Sequence, residues 1–262
     1  MTETFADGGL TLTPGVIATV TLAAPATRNA MTRAMWAALP EIVARIEADA
    51  SIRAVIVTGA GGSFCAGADI SEFETVYGTE AAARVYNGLV RAGQQALRDL
   101  DRPVIAAIEG ACVGGGCGIA LSCDLRFAAE GAIFAITPAR LGIAYSPADT
   151  MALVEKVGPA RAKDILFSAR KLDTAEALSI GLIERVVPGG TALATARSYA
   201  EELAALSPAS LAVTKRIVNG LIPLAADPAL TQAFEALFTG ADFAEGTRAF
   251  LDRRRPRFPD RG

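Results

Sequence analysis

Pro103-Val-Ile-Ala-Ala-Ile-Glu-Gly-Ala-Cys-Val-Gly-Gly-Gly-Cys-Gly-Ile-Ala-Leu-Ser-Cys123 joins three kinds of segment in one run. Residues 103–108 form a short apolar stretch without polar alternation, which predicts a strand covered on both faces. Gly110 to Gly116 predicts a turn whose backbone can approach a ligand closely. Cys117 to Cys123 predicts a helix, and strand, glycine turn, helix is the order of an α/β protein.

The same order recurs upstream. Arg53 to Thr58, centred on Ala54-Val-Ile-Val57, predicts a buried strand, and Gly59-Ala-Gly-Gly-Ser-Phe-Cys-Ala-Gly-Ala-Asp-Ile70 follows it as a second glycine-rich loop. Val16 to Leu22 alternates apolar residues at Val16, Ala18, Val20 and Leu22, the period of a half-buried strand. Thr32 is placed to cap a helix carrying Met35, Leu39, Ile42, Val43 and Ile46 at helical spacing, with a bend expected at Pro40. From about Ala160 the glycines thin out. Helices are predicted over residues 161–168, 174–180, 191–206, 208–220, 228–238 and 243–254. The reading is a mixed core over residues 1–200 and a C-terminal helical, oligomerisation region over residues 201–262.

Composition bounds the chemistry. The chain has 262 residues, 52% of them hydrophobic and 20% charged, enough for a sizeable core. No apolar run reaches the ~18 residues of a membrane span, and Met1-Thr-Glu-Thr-Phe-Ala-Asp7 lacks the basic and apolar regions of a secretory signal. A soluble, cytoplasmic protein is expected. A formal net charge of −3 excludes a broad nucleic-acid footprint. The locally basic stretch Arg253-Arg-Arg-Pro-Arg257 reads as a solvated tail or an intersubunit ion pair. Four cysteines are too few for a disulfide framework, and without histidine they lack the usual partner of a Cys/His zinc site. Buried free thiols and no metal are expected. The absence of histidine also removes Ser-His-Asp and Cys-His machinery and the usual neutral-pH base. Backbone dipoles, carboxylates, tyrosine or lysine must carry any catalysis.

A glycine triplet opening a helix offers unpaired N–H groups and a positive dipole end, which suits an anion or oxyanion; tight turn geometry alone would explain the same residues. The spacing is not G-x-G-x-x-G, and no Lys-Ser/Thr pair follows as in a phosphate-binding loop.

Phe64-Cys-Ala-Gly-Ala-Asp-Ile70, then Gly110-Ala-Cys-Val-Gly-Gly-Gly-Cys117 and Cys123-Asp-Leu-Arg-Phe-Ala128, resemble the signature of the enoyl-CoA hydratase/isomerase (crotonase) superfamily. Thr174-Ala-Glu-Ala-Leu-Ser-Ile-Gly-Leu-Ile-Glu-Arg-Val-Val187 and Phe250-Leu-Asp-Arg-Arg-Arg-Pro256 extend the resemblance over nearly the whole chain. It implies an α/β fold built as a spiral of ββα units with C-terminal helices, a homotrimer or dimer of trimers, and an acyl-CoA thioester ligand. No cofactor is implied beyond the CoA of the substrate. The family's two oxyanion donors fall on the backbone N–H groups of Ala68 and Gly115. Ala66, Gly114, Asp69, Ile70 and Ser71 fall on substrate-binding positions, and Arg28 lies on a segment that commonly lines the CoA channel. Two fixed amides suit a thioester becoming an enolate, because charge gathers on its oxygen.

The chain departs from the family where hydratases carry two glutamates, since the matching positions are Gly118 and Pro138. Paired acid/base hydration loses both of its groups. Phe134-Ala-Ile-Thr-Pro-Ala-Arg-Leu-Gly-Ile-Ala-Tyr145 resembles the matching segment of the family's methylmalonyl-CoA decarboxylases, which puts Tyr145 in the pocket as a candidate for orienting a carboxylate or relaying a proton. Asp149, four residues on, is a candidate base or a helix N-cap. The resemblance leaves decarboxylation, C–C cleavage, isomerisation, hydration and a catalytically silent acyl-CoA-binding subunit open.

Overall fold

The computed structural model describes residues 1–220, 235–236, 238–254 and 256. The strand predicted at residues 103–108 is β5 (Val104–Ile108), and it lies inside a seven-stranded sheet. Along that sheet β1 (Glu3–Phe5), β2 (Leu10–Thr13) and β3 (Ile17–Leu22) pair antiparallel. From β3 onward, β4 (Ala54–Gly59), β5, β7 (Leu125–Ala129) and β10 (Arg185–Val187) run parallel. A second sheet of three short strands holds β6 (Ala111–Val113), β8 (Ile133–Ala135) and β9 (Lys171–Leu172).

This pairing produces the spiral. The chain runs from β5 in the large sheet to β6 in the small one and then into α4 (Gly115–Ser122). It repeats the circuit as β7, β8 and α5 (Pro147–Ser168). Because β5 lies beside β7 and β6 beside β8, each turn stacks on the one before. The unbroken apolar runs of β4 and β5 follow from packing on both faces. Val55, Val57, Val104, Ala106 and Ile108 face the main core, whereas Ala54, Ile56, Ile105 and Ala107 meet Ala192, Ala196 and Ala200 of α7 (Ala192–Ala204).

The main core also takes α1 (Arg33–Ala48), capped by Thr32 Oγ1 accepting from the Met35 N–H at 3.2 Å, and Pro40 sits within that helix. It takes the short α2 (Phe73–Val76) and α3 (Glu80–Asp99) too, the latter a 20-residue helix that the sequence reading passed over. The helix predicted from Cys117 begins two residues earlier, at Gly115, inside the glycine triplet. The segment predicted at 161–168 is the far half of α5, whose regular geometry breaks at Gly158 (φ +77°). Beyond α6 (Thr174–Ser179) and α7 come α8 (Pro208–Gly220) and α9 (Ala241–Leu251). The helix predicted at 228–238 falls mostly outside the described residues. Phe238 and Phe243 join the main core, and Lys215 of α8 reaches Asp124 at 2.9 Å. All four cysteines are free and buried.

Candidate active site

Two loops are pressed together by residues without side chains. A Cβ on Gly116 would lie 2.5 Å from the Cys65 carbonyl oxygen, and one on Gly67 (φ +106°) would lie 3.0 Å from that of Val113. Only glycine permits this approach. It brings Gly115 to the segment 66–69, where the position of a Gly115 Cβ is 3.5 Å from the Ala68 nitrogen.

Around that contact the other amides are engaged. The Ala66 N–H donates to the Arg28 carbonyl at 2.9 Å, and the Asp69 N–H to that of Met31 at 2.9 Å. The Gly114 N–H donates to Ala135 at 2.8 Å. The N–H groups of Ala68 and Gly115 donate to no acceptor among the described residues, and both residues line one cavity of about 220 Å³. Gly115 is the first residue of α4, where an N–H has no intrahelical acceptor and the helix dipole presents its positive end.

Tyr145 reaches the same peptide group from the other side. Its hydroxyl donates to the Gly114 carbonyl oxygen at 3.1 Å, and that carbonyl shares a peptide plane with the Gly115 N–H. Burial, with the Asp149 charge adding to it, holds the Tyr145 phenol well above its ordinary pKa, so it stays a donor. Hydrogen bonds in series polarise one another, so this contact fixes the Gly115 N–H and strengthens it. The Tyr145 proton is thereby engaged by the backbone.

Asp149 also lines the cavity, and it is buried. It is not the N-cap of α5. Ser146 is: its Oγ accepts from the Asp149 N–H at 3.0 Å and donates to the Asp149 carboxylate at 2.7 Å. Burial pushes the Asp149 carboxyl up to about 6, against the opposing pull of the Ser146 hydroxyl, the Gln94 amide and, more weakly, Arg98. A carboxylate held there titrates near neutrality.

Gly118 explains how Asp149 gets in. A Cβ at residue 118 would stand 2.2 Å from Gln94 Nε2 and 2.7 Å from Asp149 Oδ1. The space into which a side chain at residue 118 would grow is occupied by a carboxylate from α5 and an amide from α3. Gly118→Ala is therefore expected to cost about 1–3 kcal/mol by overpacking, measured as a lower denaturant midpoint at unchanged m-value. Pro138 lines the cavity without a titrating group.

Of the sequence-predicted positions, Ala66, Ala68, Ile70, Gly114, Gly115, Tyr145 and Asp149 line this cavity. Arg28, Asp69 and Ser71 do not. Arg28 is exposed, with a left-handed backbone (φ +53°) and a carbonyl that holds Ala66. The Asp69 carboxylate accepts from the Ser71 N–H at 3.0 Å and from its hydroxyl at 2.7 Å. The sequence reading missed Trp36, Tyr86 and Gln94, which line the cavity from α1 and α3. The Met-Trp pair at helical spacing from Leu39, and the spacing of Ala83, Tyr86, Val90 and Leu97 behind Thr79, were the available signals.

A spiral of ββα turns with two unpaired amides facing one cavity defines a class of fold and site, and comparison with known proteins places the chain within it. Residues 13–261 match the family model described as enoyl-CoA hydratase/isomerase. A short-chain-enoyl-CoA hydratase of Clostridium acetobutylicum is 35% identical over 245 residues, covering 92% of this chain and 93% of that one. The crystal structure of an enoyl-CoA hydratase/isomerase family protein from Hyphomonas neptunium is 44% identical, with a TM-score of 0.80, and the match covers 97% of this chain and 98% of that one. An enoyl-CoA hydratase from Mycobacterium avium subsp. paratuberculosis superposes with a TM-score of 0.85 at 28% identity, covering 96% of this chain and 99% of that one. The chain belongs to the enoyl-CoA hydratase/isomerase family.

Proposed function

We propose that this chain makes and reprotonates the enolate of an acyl-CoA thioester, with the Ala68 and Gly115 amides on the thioester oxygen and Asp149 as the one acid/base group. The observation that carries the proposal is a buried carboxylate, pushed up to about 6, in the wall that also holds the two unpaired amides. Gly118, which Asp149 abuts, lies three residues beyond Gly115 on α4, a separation of about 5–6 Å between neighbouring side-chain positions. That spacing suits a base working on the carbon next to a bound carbonyl. Asp149 takes the α-proton, the electron pair moves onto the thioester oxygen, and the same carboxyl returns a proton to carbon.

A single carboxyl favours isomerisation or C–C cleavage over water addition, which needs one group to activate water and another to protonate carbon. Decarboxylation of a malonyl-type thioester is less well served, since Asp149 would oppose a second negative charge. Assembly as a homotrimer or dimer of trimers in the cytoplasm accompanies this reading as a proposal from the family resemblance.

The test is exchange at the α-carbon of butyryl-CoA in D2O, followed by NMR. Deuterium incorporation is expected from the wild-type protein; thioester binding without any exchange would instead mark a silent binding subunit. Tyr145→Phe removes the contact on the Gly114 carbonyl and is expected to slow exchange by about 2- to 10-fold. Its thioester affinity should be unchanged, because the substituted residue acts on the amide rather than on the ligand. A rise in Kd with an unchanged rate would refute that positioning role.

A further inference from the structure

Asp149 is approached from two helices. In the first turn of its own helix, the Ser146 hydroxyl donates to Asp149 Oδ2 at 2.7 Å. Oδ1 is the oxygen turned toward α4, 2.7 Å from the position of a Gly118 Cβ. Gln94 Nε2 comes within 2.2 Å of that same position from α3. The amide N–H end and the carboxylate oxygen therefore face each other across a missing side chain, short of a hydrogen bond of ordinary geometry.

The reach of Gln94 is built into the helix that carries it. A Cβ on Gly93 would lie 3.0 Å from Leu39 Cδ1 and 3.1 Å from the Trp36 carbonyl oxygen, so α3 lies directly against α1 and its next residue extends over α4. Gln94 is 7% exposed and shares the buried face of α3 with Ala83, Gly93 and Leu97. An amide buried without full hydrogen bonding is costly. An apolar side chain of similar length would fill the space more favourably, so packing does not account for a glutamine here.

The other polar groups around Asp149 are already engaged. The Tyr145 proton is on the Gly114 carbonyl, the Cys117 thiol of α4 is turned to the carbonyls of Cys112 and Ala135, and Arg98 of α3 pairs with Glu155 of α5 at 3.5 Å. Gln94 is left as the donor beside Oδ1. Burial raises the Asp149 carboxyl, and among the influences that oppose it the Gln94 amide follows the Ser146 hydroxyl and precedes Arg98.

We infer that Gln94 is a positioning residue for Asp149: its amide steadies Oδ1 in the ionised form and holds that oxygen toward the carbon beside the thioester. This rests on the enolate reading above. A neutral amide suits the place because it supports the carboxylate without competing for the substrate proton, and catalytic hydrogen bonds commonly tighten as ligand binds.

The test is the pH dependence of butyryl-CoA α-exchange in D2O, read as a midpoint for each variant. The wild-type midpoint is expected near 6. Gln94→Met and Gln94→Leu remove the donor, and their midpoints should lie about 0.5–1 pH unit higher, with exchange below the midpoint about 3- to 10-fold slower. Gln94→Lys puts a cation in the same place and should lower the midpoint. A weakened fold does not imitate shifts of opposite sign, because a midpoint is independent of how much protein is folded. Arg98→Met should raise the midpoint by less than either apolar variant at residue 94. A wild-type midpoint in whichever of Gln94→Met and Gln94→Leu folds, a rise in Gln94→Lys, or a larger rise in Arg98→Met overturns this inference and leaves the enolate reading standing. Absence of exchange in the wild type, or exchange undiminished in Asp149→Asn, overturns both.

Discussion

Asp149→Asn should abolish α-proton exchange, with a loss of about 10²- to 10⁴-fold, the usual contribution of a positioned acid/base group. In the wild-type protein the exchange rate should rise with pH through about 6, because the proposed base is the ionised Asp149 carboxylate and burial delays its formation to that pH. The same substitution should stabilise the fold near neutrality. The folded protein holds a proton on Asp149 up to about pH 6, whereas the unfolded chain releases it near 3.8. Between those values the folded state binds more protons, so stability falls as pH rises, and above 6 the full cost of a buried charge is present. A shift of this size corresponds to about 3 kcal/mol. Denaturant titrations at pH 4 and pH 7.5 would show it. The variant should gain on the wild type mainly at the higher pH, and a gain that is equal at both would contradict the buried-charge account.

Arg126→Ala should produce the largest loss of stability, about 3–5 kcal/mol, as expected when a buried charge network loses its central member. The Arg126 side chain is 1% exposed. Its Nε donates to the Leu182 carbonyl at 3.0 Å, and Nη1 to those of Cys123 at 2.9 Å and Ala120 at 3.2 Å. Nη2 donates to the Asp124 carbonyl at 3.2 Å and to the Glu184 carboxylate. Two of these carbonyls lie at the C-terminal end of α4, where a cation also meets the negative end of the helix dipole. Truncation frees that end of the helix whose other end carries Gly115. For a domain of this size the melting temperature should fall by roughly 6–20 °C. Calorimetry would measure it, and a change under 3 °C would show that the carbonyls are readily resolvated.

The fold was legible where burial writes itself into sequence. Residues 104–108 and 54–57 are apolar throughout because each strand is packed on both sides, so no polar alternation competes with the reading. The strands β6, β8 and β9 have three, three and two residues, too few for any period to register. They exist because each turn of the spiral lays its strand beside the previous one. For α3 the pattern was present but diluted, since Glu80, Arg84, Arg91 and Asp99 share the helix with its apolar face.

The site divides in the same way. The glycines at 67, 114, 115 and 116 announced a close backbone approach, and the family resemblance supplied its chemistry at Ala68 and Gly115. Gln94, Trp36 and Asp149 come from three different helices, and nothing in their local sequence says that they converge. Arg28 and Asp69 hold the loop through a carbonyl and a turn.

Residue 118 constrains any route from this chain to a two-glutamate hydratase. With Gln94 Nε2 2.2 Å and Asp149 Oδ1 2.7 Å from the position of a Cβ there, a longer residue requires both of these side-chain ends to move. Displacing Asp149 gives up the one acid/base group of the proposed reaction, and Pro138 must still be replaced independently. A laboratory selection for water addition would have to supply those substitutions together.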